Sequence, residues 1–399
     1  MNPQEAPERA YDLVLFGATG FVGELTARYL AEHAPAGCRW AVAGRSTGRL
    51  ERLRESLTEL NPALADLPLL RADAEDPGSL RELAASTRVL ATTVGPYVWY
   101  GSGLVAACAA EGTDYLDLTG EPEFVDRTYV EQDARARETG ARIVHACGFD
   151  SVPHDLGAYF TVRQLPEGVP LRVDAFVRSD AFVSGGTLSS ALTVLARGPQ
   201  TLRAARERRL HEPRLFGRRA RAPLGAPRFS RETGTWAVPL PTLDPRIVAR
   251  SAAALDRYGP DFRYRHYASV KTLPVLLGGT VAVGAAAALA QLPPARRRLM
   301  GLMEPGTGPD AERRARSWFT VRFVGEGGGR RVFTEVSGGD PGYGETAKML
   351  AEAALCLAHD ELPVTAGQVT TAVAMGDALT ERLRAAGIVF RVADVRETG

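Results

Sequence analysis

"DLVLFGATGFVGELTARYL", residues 12 to 30, is the stretch on which the fold turns. An apolar run, Leu13, Val14, Leu15 and Phe16, leads into Gly17, Gly20 and Gly23. Beyond it Val22, Leu25, Thr26, Tyr29 and Leu30 fall on one helical face. The pattern predicts strand, tight turn and helix, the setting in which a glycine triplet cradles a dinucleotide. Gly17 would permit the turn, Gly20 the approach of a pyrophosphate, and Gly23 close packing of helix on strand. The cradle is expected to comprise Gly17, Ala18, Thr19, Gly20, Phe21, Val22 and Gly23, with the amides of the helix N-terminus facing phosphate.

About 20 residues further on, where an NAD site offers a carboxylate to the ribose, "RWAVAGRSTGRL" has none. Arg45 and Ser46 stand there instead, a guanidinium and a hydroxyl suited to a 2′-phosphate, so the expected cofactor is NADPH/NADP. The competing reading of Arg45 is one more surface arginine in a chain whose only lysines are Lys271 and Lys348.

The same rhythm continues through strands ending with Asp73, at Gly95-Pro96-Tyr97, at Glu121 and in "ARIVHACGFD". This predicts an α/β fold, a Rossmann-type doubly wound parallel sheet whose ligand lies beyond the carboxyl ends of its strands. Asp73 would accept from the adenine amino group, or serve as a helix N-terminal acid before Pro77. Val94, Gly95 and Pro96 would lie nearest the nicotinamide.

The expected organisation is a flexible lead at 1–10, an NADP-binding domain at 11–150, a substrate domain at 151–340, and C-terminal helices and strand at 341–399 that complete the first domain. In the second part "LRVDAFVRS", "TWAVPLP", "FRYRHYASV", "SWFTVRF" and "RVFTEVSG" read as strands of a mixed, mostly antiparallel sheet, the last two as a hairpin. Between Arg197 and Arg231 eleven arginines face two acids, Glu207 and Glu212, in a stretch read as an exposed basic loop, or as a landing surface for a phosphate-bearing carrier. Residues 272–295 carry no charge and precede Arg296, Arg297 and Arg298; the reading is a buried or lipid-touching helix rather than a span.

A net charge of +1 argues against nucleic acid as a partner and against global attraction to anionic membranes. Four scattered cysteines without CxxC spacing exclude a disulfide framework and a zinc motif, so no metal is expected. The expected location is cytoplasmic, with peripheral contact at the inner face of the plasma membrane through 272–295 and the arginines beside it. A homodimer is left open.

The stretches "DLVLFGATGFVGELTARYL", "AGRSTGRL", "GPYVWYG", "YLDLTGE", "GFDSVPHDLG" and "GGDPGYGETAKML" together resemble the saccharopine dehydrogenase-like family, in its trans-acting enoyl reductase branch. The resemblance covers almost the whole chain and implies NADPH-dependent reduction of a carbon–carbon double bond in a polyketide-derived lipid. It departs in "GQVTTAVAMG", where a proline is expected at Thr371. Such a reaction needs an acid near the nicotinamide. Tyr97, Tyr100, His145, Asp150, His154, Tyr343 and Lys348 sit in loops or motifs that should face the crevice. Tyr97, Tyr343 and Lys348 are the expected catalytic residues, while His145, inside an apolar strand, reads equally as a satisfied core histidine. Two rival readings are an amino-acid oxidoreductase of the saccharopine type and a non-catalytic nucleotide-binding module on lipid.

Overall fold

The computed structural model describes residues 9–180, 192–272, 291 and 310–397. Its first sheet has seven strands, all parallel, in the order β14-β6-β5-β4-β1-β2-β3. They are β1 (Tyr11–Phe16), β2 (Trp40–Gly44), β3 (Leu69–Arg71), β4 (Thr87–Thr92), β5 (Asp114–Leu116), β6 (Arg142–Val144) and β14 (Gly367–Val369). Without β14 this is the doubly wound order, reversing direction between β1 and β4.

Helices cover both faces, as parallel strands require. One face carries α3 (Pro77–Ser86), α5 (Ser102–Glu111) and α6 (Pro122–Thr139), after the short α4 (Tyr97–Tyr100). The other carries α1 (Phe21–His33) and α2 (Thr47–Leu60). On that face α1 also meets a helix from far along the chain, α11 (Gly344–His359), tied by Tyr29 donating to Glu352 at 2.7 Å. Small alanines at 347, 351, 353, 354 and 358 let α11 lie close, and all are buried.

The second sheet is mixed: β15-β13-β12-β7-β11-β10-β9, with β8 beside β11. Its strands are β7 (Leu171–Asp180), β8 (Arg219–Arg221), β9 (Arg228–Ser230), β10 (Thr235–Pro239), β11 (Asp261–Val270), β12 (Trp318–Gly327), β13 (Arg330–Gly338) and β15 (Val389–Glu397). β12 and β13 form the expected hairpin, closed by Gly328 and Gly329 at φ of 57° and 75°, the positive values of a tight two-residue turn. β11 pairs parallel with both β7 and β8, which is what makes the sheet mixed. α7 (Val152–Val162) and α9 (Asp244–Ala254) pack against it, in a hydrophobic cluster shared with the first sheet.

Two expectations are corrected. The final strand does not complete the parallel sheet: β15 pairs antiparallel with β13 in the second sheet, and the short β14 takes the edge of the first. Residues 197–231 are not one loop, for they form α8 (Gly198–His211), β8 and β9. α8 holds because Arg197 pairs with Glu123 at 2.7 Å and lies over the Trp99 ring, while Arg208 is buried with its guanidinium 4.0 Å from the Tyr129 ring centroid. α10 (Ala311–Arg316), α12 (Thr371–Ala374) and α13 (Gly376–Ala385) are further α-helices. The apolar segment 272–295 lies outside the described residues except for its first residue and Gln291.

Candidate active site

The phosphate turn is built as its spacing predicts. Gly17 follows β1 with φ of 84°, its amide donates to Ala43 O at 2.9 Å, and its carbonyl accepts from Thr93 Oγ1 at 3.0 Å. Gly20 closes the turn by donating to Gly17 O at 3.0 Å. A Cβ on Gly23 would sit 2.2 Å from that same carbonyl, so only glycine lets α1 rest on the turn. No side chain caps α1, which leaves its first-turn amides for an anion.

Arg45 and Ser46 follow β2 and are exposed. Among the described residues Arg45 has no hydrogen bond, ion pair or ring partner, and the Ser46 hydroxyl, although at the N-cap of α2, makes no capping bond. This pair suits a ribose 2′-phosphate. Asp73 Oδ1 accepts from Glu75 N at 3.1 Å, which leaves Oδ2 without a hydrogen-bond partner among the described residues, while Asp76, not Asp73, caps α3 through Gly78 N at 2.9 Å.

Of the expected catalytic residues, Tyr97 is corrected. Its hydroxyl donates to Thr92 O at 3.1 Å and accepts from Leu118 N at 3.1 Å, and burial pushes the phenol well above its ordinary range. Both bonds pin the loop after β4 to the loop after β5, so Tyr97 is a fastener. Glu121 reinforces it by accepting from the amides of Tyr97 and Val98. Tyr343 does reach the phosphate turn, edge-on to Phe21 with ring centroids 4.8 Å apart, but is buried. Lys348 is ion-paired with Glu345 at 2.9 Å. Tyr100 is exposed, and His145 is the satisfied core residue, bound by Asp117 at 2.6 Å and Thr128 Oγ1 at 3.1 Å.

Asp150 stands apart. It follows β6, in the same row of loops as the glycine turn, and is half-buried. Its carboxylate has no hydrogen-bond or ion-pair partner among the described residues, and faces Gly120, whose added Cβ would lie 3.3 Å from Oδ2. Burial raises it to about 6, so near neutrality it exchanges a proton readily. The loop is stitched from outside: Phe149 N donates to Thr346 Oγ1 at 3.1 Å, and that hydroxyl donates to Pro341 O at 2.7 Å. "GFDSVPHDLG" and "GGDPGYGETAKML" thus meet in space.

Behind Asp150 lies a buried polar group of which the sequence singled out only His154. Asp244 accepts from Thr242 at 2.6 Å and Ser151 at 3.2 Å, and burial, with the Asp150 charge as a lesser cause, lifts it to about 8. The His266 ring lies perpendicular to His154 at 4.7 Å and is bound by Tyr264 at 3.0 Å; burial lowers His266 to about 3 and His154 well below its usual value. Together they keep an uncharged floor. His154, Asp244 and His266 bring three ligand atoms within 4.8 Å and could hold a cation, as could Asp12, Cys38 and His359, where Asp12 is already paired with Arg39 at 2.9 Å. The departure at Thr371 has a structural use: its hydroxyl donates to the buried Asp155 of α7 at 2.8 Å, which holds β14 and α12 against this floor.

Comparison with known proteins identifies the fold and the family. The family model of the saccharopine dehydrogenase NADP binding domain matches residues 13–144. The yeast saccharopine dehydrogenase (L-Glu forming) of Saccharomyces cerevisiae shares the fold at a TM-score of 0.52 and 12% identity, over 96% of this chain and all of that one. A Mycobacterium tuberculosis protein provisionally named a trans-acting enoyl reductase is 42% identical, over 96% of this chain and 97% of its own. The trans-acting enoyl reductases of Mycobacterium bovis and Mycobacterium ulcerans are 39% and 36% identical, again over 96% of this chain and 98% and 97% of theirs. With an NADP-binding domain matched in sequence and relatives aligned from end to end, the chain belongs to the saccharopine dehydrogenase-like family, among its trans-acting enoyl reductases.

Proposed function

We propose that this chain reduces the carbon–carbon double bond of a long, apolar, polyketide- or lipid-type enoyl substrate with NADPH, and that Asp150 donates the proton. The observation that carries the reading is a half-buried carboxyl without a partner among the described residues, in the same row of strand ends as the glycine turn and Arg45. The names of the relatives support the reaction. When bound, the cofactor supplies a hydride to one carbon of the double bond.

The residues of the chain do the rest. The first-turn amides of α1 hold the diphosphate, and Arg45 with Ser46 hold the 2′-phosphate. Tyr97 and Glu121 keep the loops after β4 and β5 in register. Asp150 gives its proton to the neighbouring carbon, ends as a carboxylate, and regains a proton from water. Burial disfavours that carboxylate and so promotes donation.

The test is stopped-flow absorbance at 340 nm after mixing the NADPH-loaded protein with a long-chain trans-2-enoyl thioester. Loss of the band with appearance of the saturated product is expected. An unchanged band with enoyl substrate, or turnover with saccharopine instead, would refute the reading. A cytoplasmic protein touching the inner membrane face is supported by the uncharged residues 272–295 and the three arginines after them. Among the described residues no helix is long and apolar enough to cross a membrane. Flotation with anionic liposomes at low salt, reversed at high salt, is the expected result.

A further inference from the structure

The arginines between 197 and 231 do not all face solvent. Arg208 of α8 turns inward, where Asp126 of α6 is shared by three guanidinium groups: Arg246 at 3.0 Å, Arg208 at 3.7 Å, and Arg250. Glu212 takes a second edge of Arg208, and Arg137 pairs with Asp133 at 2.7 Å. Four cations therefore meet three carboxylates, which leaves one positive charge in excess.

Arg137, Arg208 and Arg250 line a cavity of about 340 Å³ beside the edge strand β14. Two buried polar atoms on its wall, Arg250 Nη1 and Thr365 Oγ1, have no hydrogen-bond partner among the described residues. An unpaired buried donor is costly, and an unpaired guanidinium edge more so. Burial foremost, with Arg208 beside it, lowers Arg250 to about 10, which is further sign of cations crowded without enough counter-charge. Val125, Ile247 and Val373 give the cavity an apolar side.

We propose that this cavity is an oxyanion site, which takes a phosphate or carboxylate group between Arg250, Arg208, Arg137 and the Thr365 hydroxyl. It is separate from the cofactor cradle, because β14 stands four strands from β1, about 19 Å across the sheet. The apolar side favours an anion that carries a small hydrocarbon body. His145, bound to Asp117 within the core, forms part of the wall, so an occupant lies against the strand end that leads to Asp150.

The test is isothermal titration of the whole chain, saturated with NADPH, against orthophosphate, butyl phosphate and butyrate, with sodium chloride of matched ionic strength as control. Saturable one-site binding is expected, butyl phosphate being tighter than orthophosphate by about fivefold or more. Orthophosphate binding as tightly as the ester would keep the oxyanion site and assign it to free phosphate. Thr365→Val, which breaks no ion pair, should weaken binding by about fivefold, and Arg250→Met by at least roughly tenfold. NADPH affinity should stay unchanged in both. Since Arg250→Met also strips a partner from Asp126, Thr365→Val carries the test if the first variant does not fold. Heats no larger than those of chloride, anion binding abolished by NADPH, or equal binding by wild type and Thr365→Val would overturn the site.

Discussion

Asp150→Asn tests the assignment of the proton donor most directly. The substitution keeps the shape of the side chain and removes the exchangeable proton. With burial placing the carboxyl at about 6, roughly nine-tenths of the wild-type protein is protonated at pH 5, about a tenth at pH 7, and about a hundredth at pH 8. If that proton goes to substrate, the single-turnover rate of NADPH oxidation falls about tenfold per unit above pH 6. Between pH 5 and 8 the loss approaches roughly 90-fold. Asp150→Asn should lower the rate at pH 6 by about 10² to 10⁴ and flatten the profile, leaving NADPH affinity unaltered because the phosphate turn lies on another strand. Gly120→Ala, which sets a methyl 3.3 Å from Oδ2, should move the inflection upward by displacing water from the carboxylate. Single-turnover rates at saturating enoyl thioester, from pH 5 to 8.5, measure all three. A wild-type profile that is level across this range, or an Asn variant as fast as wild type, would refute the reasoning.

Three further outcomes follow from the geometry. Gly23→Ala forces a methyl to within 2.2 Å of Gly17 O, about 1 Å inside ordinary contact, so α1 must back away; a stability loss of about 1–3 kcal/mol in urea titration and at least a roughly tenfold weaker NADPH affinity are expected. Arg45→Ala should weaken NADPH by about 10- to 100-fold and leave NADH alone, as read by fluorescence titration; equal losses for both would remove the 2′-phosphate assignment. Asp244 has a raised folded value of about 8, so its contribution to stability is complete below the unfolded value near 4 and is lost as pH rises through 8. The stability of wild type minus that of Asp244→Asn should therefore fall by about 3 kcal/mol between pH 5.5 and 8, and a constant difference would contradict the buried, uncharged state.

What the residues determine alone is what depends on near neighbours. An apolar run, glycines at 17, 20 and 23, and a helical stripe specify strand, turn and helix because each rests on backbone torsions and on side chains a few positions apart. The missing acid and the presence of Arg45 after the second strand are legible for the same reason, and so is the β12–β13 hairpin, whose turn needs two residues at positive φ. Tertiary packing decided the rest, because burial and charge are set by groups far along the chain. Tyr97 looks like a donor until Thr92 and Leu118 claim both sides of its hydroxyl. Residues 197–231 look like a solvated basic loop until Asp126, Glu123 and Tyr129 give their arginines inward partners. The last strand had no local signal to choose between sheets; pairing with β13 is a long-range register, and only the fold supplies it. Asp150 stands in sequence as one of seven candidates from loops facing the crevice, and only the fold, which buries its carboxyl beside Gly120 without a partner among the described residues, raises it to about 6 and sets it apart.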